Sequence, residues 1–145
     1  MRVENISLFD GAKVLVVGGA GFVGNNLCRF LLNQDIRSLI VVDNLLSSEL
    51  VNLPCDNRLE FIQGSIGDDE ILRLFHDDLE YVFHLATYHG NQSSIQDPLA
   101  DHANNTITTL KLCEKFKNSN HLKKLIYSSA GCTVAKKTYG VVGPS

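Results

Sequence analysis

Glycines at 18, 21 and 24 and an aspartate at 43 are the residues of this chain whose types and spacing could do chemistry. The glycines follow the apolar run Val14-Leu15-Val16-Val17 in the pattern G-x-x-G-x-x-G. Glycine at the first place lets a chain turn sharply off a strand. At the second it lets backbone approach a pyrophosphate, and at the third it lets a helix pack closely on a sheet. The N-terminus of that helix offers free N–H groups and a partial positive charge to phosphates. Asp43 ends a second short apolar run, Leu39-Ile40-Val41-Val42, and lies 25 positions after Gly18. A carboxylate there can accept hydrogen bonds from adenosine ribose hydroxyls and would repel a 2′-phosphate. Asn44-Leu45-Leu46-Ser47-Ser48 brings no Arg or Lys to receive such a phosphate, so the pattern favours NAD over NADP. The plainer alternatives are a strand–helix turn without a ligand and an aspartate that caps a turn.

The elements that must position these residues can be read from apolar periodicity. Strands are expected at Lys13–Val17, Leu39–Val42, Leu59–Ile62, Tyr81–Leu85 and Lys124–Tyr127. A helix is expected over Gly21–Asn33, with Phe22/Val23, Leu27 and Phe30/Leu31 as its buried stripe. A second helix starts at Asp68 as N-cap, with Ile71, Leu72, Leu74 and Phe75 as its apolar face. Residues 46–57 read as irregular, with Pro54 as a breaker, and Ala86–Asp97 as a loop. A long helix follows from Pro98 to about Lys117, with Ile107, Leu110 and Leu112 among its apolar residues. Short apolar strands alternating with helices predict a parallel sheet buried on both faces, doubly wound by right-handed crossovers. Ligands in such sheets bind beyond the carboxyl ends of the strands. Gly18–Gly24, Asp43, Gly64–Ile66, Leu85–His89 and Ser128–Thr133 all follow strand ends, so one crevice should collect them.

With 145 residues, 44% of them hydrophobic, the chain can build one domain with a substantial core. The expected division is an N-terminal extension over residues 1–12, a dinucleotide-binding domain over 13–135 and an irregular tail over 136–145. A net charge of −3 makes no electrostatic case for nucleic acid. No apolar stretch approaches the roughly 18 residues that span a membrane, and Met1 to Gly11 lacks a signal pattern. Cys28, Cys55, Cys113 and Cys132 are scattered, as expected of reduced thiols in a cytoplasmic protein. Neither they nor His76, His84, His89, His102 and His121 have zinc-type spacing, so no metal site is expected.

Taken together, these segments resemble the extended short-chain dehydrogenase/reductase family, in its branch of NAD-dependent nucleotide-sugar epimerases and dehydratases. The branch is that of UDP-galactose 4-epimerase. The resemblance is carried by Gly18-Gly19-Ala20-Gly21-Phe22-Val23-Gly24, Val42-Asp43-Asn44-Leu45, Val82-Phe83-His84-Leu85-Ala86, Asp97-Pro98, Asn105 and Tyr127-Ser128-Ser129. It spans Lys13 to Val134 and implies an α/β fold with a Rossmann-type doubly wound parallel sheet. It also implies roles. Gly18, Gly21, Phe22 and Val23 would line the pyrophosphate, and Asp43, Asn44, Leu45 and Ser47 or Ser48 the adenosine ribose. Ser65-Ile66 stands where the family has an acidic and an apolar residue beside adenine. Leu85, Ala86 and Thr87 would pass close to the cofactor, and Asn105 would steady the floor of the site. Relatives often pair through two helices into a four-helix bundle, for which the helix from Pro98 is a candidate, so a homodimer is implied.

Chemistry in this family needs a Y-x-x-x-K pair and a Ser or Thr. The lysine and the cofactor's charge lower the tyrosine pKa, so that it can take a proton from a sugar hydroxyl. The resemblance places the pair well beyond the fifth strand, after Ser145. Tyr139, the only late tyrosine, is followed four positions on by Gly143. The family's third serine after Tyr127 is replaced by Ala130. Ser129 and Thr133 are the hydroxyls that could substitute, or both could satisfy backbone groups in a loop. Lys136-Lys137 reads as a solvated turn, and Gly140, Gly143 and Pro144 as an irregular tail. One reading is the NAD-binding part of a nucleotide-sugar epimerase or dehydratase (an isomerase or lyase) whose C-terminal substrate region lies outside the sequence. The intact enzyme would oxidise a carbon of a UDP-, dTDP- or GDP-sugar transiently. The other reading is a complete, non-catalytic dinucleotide-binding module, a sensor or partner subunit. Strand Lys124–Tyr127 would leave an apolar edge, which predicts an oligomeric or poorly soluble chain.

Overall fold

The computed structural model describes residues 8–88 and 91–129. Five parallel strands form one sheet: β1 (Lys13–Val17), β2 (Ser38–Asp43), β3 (Leu59–Gln63), β4 (Tyr81–His84) and β5 (Lys124–Tyr127). Their order is β3-β2-β1-β4-β5. The chain therefore leaves β1 toward one edge and returns after β3 to β1's other side. The switch of direction falls between β1 and β4, where Val14 pairs Tyr81 and Val17 pairs His84. At such a point the two connections diverge and leave a crevice.

Alternation along β1 sends Val14 and Val16 to one face and Leu15 and Val17 to the other, all at most 2% exposed. The first face is covered by α1 (Phe22–Leu32), through Cys28, Leu31 and Leu32. The second is covered by α2 (Asp69–Leu74), through Leu72, and by a later helix, through Leu112 and Phe116. Each fully buried Leu or Val contributes about 1.5–3 kcal/mol, so this two-sided core is the main stabilising element. Phe9 and Ala12, within the expected N-terminal extension, contact this core. Ala12 is fully buried, and Phe9 meets the Tyr81 ring edge-on at 4.9 Å.

The buried face of α1 differs from the expected stripe. Gly24, Cys28, Leu31 and Leu32 are buried, Leu27 is half-buried, and Phe22, Val23 and Phe30 are 85%, 64% and 52% exposed. Gly24 explains the rotation. A Cβ there would run into the Gly18 carbonyl oxygen and lie 2.6 Å from the Gly19 Cα. The turn must sit against this face, which turns positions i+4 and i+7 to the sheet and Phe22 and Val23 outward.

The remaining helices also depart in detail. Asp68 holds the N-cap position of α2, but its side chain makes no capping bond, and Leu74 is exposed. The turn is closed instead by Ser65, whose Oγ accepts the Gly67 N–H at 3.1 Å and whose carbonyl accepts that of Asp68 at 3.0 Å. A short 3-10 turn (Leu50–Asn52) lies within the irregular 46–57 segment. The expected Ala86–Asp97 loop contains a helix, α3 (Asn91–Gln96). The helical run over 98–116 begins as expected at Pro98, capped by Asp97, whose Oδ1 accepts the Ala100 N–H at 3.0 Å. It is not uniform: α4 (Pro98–Asp101) passes through a π-helical stretch, His102–Ile107, into α5 (Thr108–Phe116). Thr108 and Thr109 donate their hydroxyls to the carbonyls of Asn104 and Asn105, both at 2.6 Å, satisfying groups that the widened turn displaces. The buried face of α5 is Thr108, Leu112 and Phe116, spaced by four. Ile107 and Leu110 are 38% and 56% exposed. No helix among the described residues is long and apolar enough to cross a membrane.

Candidate functional site

A cavity of about 310 Å³ opens at the carboxyl ends of β1, β2, β3 and β4. Four strand-end segments wall it, the turn after β1 and the stretches after Asp43, Gly64 and His84, and Asn104 and Thr108 of the helical run complete it. Of the residues singled out in the sequence, Gly18, Gly21, Phe22, Val23, Asp43, Asn44, Ser47, Ser48, Ser65, Ile66, Leu85, Ala86 and Thr87 line it.

The three glycines divide their work. Gly18 has φ +81, and a Cβ there would lie 2.6 Å from the Ala86 nitrogen, so the turn and the close crossing of two loops both require glycine. Gly24 packs the helix on the turn. Gly21 has only the Gly18 oxygen near its Cβ position, at 3.5 Å, so the fold itself tolerates a side chain there. Gly21 is also the N-cap of α1, in extended conformation with no side-chain capping bond, and no acidic residue follows in the first turn. Free N–H groups and the positive end of the helix dipole therefore face the cavity mouth without a competing anion. Gly19 was missed in the sequence. Its Cβ would collide with the Val41 side chain, a close packing against β2 that gave no sequence signal.

Asp43 is 8% exposed and accepts three hydrogen bonds: from the Ala20 N–H at 2.9 Å, the Leu45 N–H at 2.9 Å and the Ser48 hydroxyl at 2.9 Å. A carboxylate offers about four acceptor positions, so one remains for a hydroxyl in the cavity. Leu45 does not line the cavity. Its backbone, at φ +58, turns the chain around the Asp43 carboxylate. Asn105 does not line it either. Its Oδ1 accepts the Tyr88 N–H at 2.7 Å, and its Nδ2 donates to the Tyr88 carbonyl at 3.1 Å and to Asp101 Oδ1 at 2.8 Å. It fastens the post-β4 segment to the helix beneath. Ser129 is exposed just beyond β5 and does not line the cavity, and Thr133, Tyr139 and His89 lie outside the described residues.

Tyr88, within the expected Leu85–His89 segment, also lines the cavity, whereas sequence reasoning missed Asn104 and Thr108 as lining residues. The last two are spaced by four on one helical run, a signal that was available. It also gave no role to His84, which lines the cavity and is 3% exposed. Burial pushes the His84 imidazole below the ordinary histidine range, so the ring is held neutral. Among the described residues that line the cavity none is Lys or Arg. A glycine turn open at Gly21, a buried carboxylate and no cation for a 2′-phosphate fit NAD.

The model of the NAD dependent epimerase/dehydratase family matches residues 14–143. A UDP-glucose 4-epimerase of Yersinia enterocolitica is 32% identical over 125 residues, covering 81% of this chain and 37% of the relative. A CDP-paratose 2-epimerase of Salmonella typhi is 36% identical over 134 residues, covering 88% and 38%. Among solved structures, the Bordetella bronchiseptica enzyme WbmF in complex with NAD+ is 56% identical, with a TM-score of 0.82, covering 86% of this chain and 38% of that one. The same enzyme has been solved with NAD+ and UDP. The chain thus spans a little over a third of the length of these relatives. By sequence and by fold, it belongs to the NAD dependent epimerase/dehydratase family.

Proposed function

We propose that this chain is the NAD-binding portion of a nucleotide-sugar epimerase or dehydratase. The observation that carries the reading is the Asp43 carboxylate, buried at the cavity wall and tied to the glycine turn through the Ala20 N–H. One group thus joins the ribose and pyrophosphate ends of the proposed site. In it, Gly21, Phe22 and Val23 receive the pyrophosphate. Asp43, Asn44, Ser47 and Ser48 receive the adenosine ribose, with Leu45 and Asn105 setting the backbone of the two walls. Ser65 and Ile66 flank adenine, and Leu85, Ala86 and Thr87 form the opposite wall. When bound, NAD supplies a reversible two-electron oxidation of a sugar carbon. The chain's own part is to hold and orient that group and exclude water around it. None of the four tyrosines is followed by lysine at the fourth position, so these 145 residues are expected to bind NAD without turnover.

The substrate we propose for the whole enzyme is a nucleoside diphosphate sugar, as the names of the relatives suggest. A homodimer through the helical run 98–116 is consistent with the outward Ile107 and Leu110. We place the protein in the cytoplasm, in keeping with free thiols at Cys28, Cys55 and Cys113.

Calorimetry with NAD and NADP tests the reading. Micromolar NAD binding, with NADP weaker by about tenfold or more through repulsion at Asp43, supports it. A folded chain that binds neither, or prefers NADP, overturns it.

A further inference from the structure

His84 ends β4, and its ring nitrogen Nε2 lies 3.0 Å from Thr109 Oγ1 on the helix beneath. The Thr109 hydroxyl has one proton, and it is donated to the Asn105 carbonyl at 2.6 Å, since a carbonyl can only accept. Thr109 Oγ1 must then accept from His84, which puts the imidazole proton on Nε2. Nδ1 becomes the acceptor and finds no partner among the described residues. A buried lone pair left unpaired is tolerated more readily than a buried N–H, which agrees with this tautomer.

Four residues before Thr109 on the same run, Asn105 brackets the backbone N–H and carbonyl of Tyr88. The segment from His84 to Tyr88 is therefore fastened at both ends to one helical face. Between the fastenings lie Leu85, Ala86 and Thr87, which line the cavity, and Ala86 sits against Gly18. Asn105 holds the far end through backbone. His84 holds the near end through its side chain, where β-pairing stops.

We propose that His84 is a positioning residue of the cofactor site. Its Nε2–H, bonded to Thr109, sets the spacing between the end of β4 and the helix, and so the placement of the 85–87 wall. This rests on the NAD reading above. In this role His84 acts through Thr109 and the wall, not on a reacting atom.

The test uses His84→Leu, Thr109→Val, Thr109→Ser and His84→Gln, each checked for cooperative thermal unfolding. NAD affinity is measured by calorimetry and the wild-type imidazole by 15N NMR. Expected are an Nε2–H tautomer, about a 10-fold loss of NAD affinity in His84→Leu and in Thr109→Val, and little further loss when the two are combined. Thr109→Ser keeps the hydroxyl, and His84→Gln presents an N–H near the position of Nε2, so both should stay within about 3-fold of wild type. If His84→Leu does not fold, the Thr109 pair carries the comparison. Wild-type NAD affinity in folded Thr109→Val, or an Nδ1–H tautomer, overturns the inference while leaving the NAD reading intact. A wild-type chain that binds no NAD overturns both.

Discussion

The carboxylate of Asp43 accepts the backbone N–H of Ala20 at 2.9 Å, so the end of β2 holds the glycine turn that follows β1. Substitution at Asp43 should therefore do two things at once. Asp43→Ala leaves the buried Ala20 N–H unpaired, which costs about 1–3 kcal/mol of stability, and it removes the proposed ribose acceptor. Asp43→Asn keeps an accepting oxygen and loses less stability, while removal of the charge narrows the preference for NAD over NADP. Denaturant titrations beside calorimetry separate the two effects. Equal stability of wild type and Asp43→Ala would mean that the Ala20 contact contributes nothing.

Gly21 and Gly24 should respond oppositely to alanine. Gly24→Ala drives a Cβ into the Gly18–Gly19 backbone and should destabilise the fold by about 1–3 kcal/mol, with NAD binding lost as a consequence. Gly21→Ala meets only the Gly18 oxygen at 3.5 Å, so its Tm should change little while NAD affinity falls at least about tenfold. Undiminished binding by Gly21→Ala would move the pyrophosphate away from this turn.

Stability should fall as pH drops below about 6.5, through His84. Above that value the ring is neutral in both folded and unfolded chains. Below it the unfolded chain takes up a proton while the buried ring resists, so the unfolded state binds more protons and gains ground until the lower folded pKa is passed. Asp56 acts in another window. Its bonds to Arg58 hold its carboxyl at about 2, so its contribution is present above 3.8 and lost as pH falls toward about 2. Denaturation midpoints between pH 7.5 and 5 should thus decline in the wild type and decline less in His84→Gln.

Thiol reactivity offers an independent check on packing. Burial pushes the Cys28 thiol up to about 12, whereas Cys55 and Cys113 are exposed. At pH 8, peptide mapping after alkylation should find Cys55 and Cys113 modified. Cys28 should stay protected by a factor on the order of a thousand until the chain unfolds. Prompt modification of Cys28 would place α1 off the sheet.

Strands β1 and β5 were legible residue for residue, because each is a short apolar run bounded by polar or glycine positions that a buried parallel strand requires. The site's glycines and Asp43 were legible for the same reason, since their chemistry depends on local spacing. The rotation of α1 was not. Phe22 and Phe30 weigh heavily in a hydrophobic stripe, yet the close approach of Gly24 to Gly18 decides which face turns inward. The π-helical stretch around Asn105 was hidden as well. Asn105 bonds Asp101 within the run, but its two bonds to Tyr88 exist only once the loop lies over the helix. His84 was legible only as part of the strand-end His-Leu-Ala that carries the resemblance, because its contact with Thr109 lies 25 residues away in sequence.

Whether the ends of four strands build one NAD site can be read from an amide-resolved NMR titration of the chain with NAD. Saturable shifts at micromolar NAD should be confined to Gly18–Gly24, Asn44–Ser48, Ser65–Ile66 and Leu85–Tyr88. A well-dispersed spectrum that NAD leaves unchanged, or shifts clustered instead around Leu110 and Glu114 on the outer face of α5, would contradict such a site.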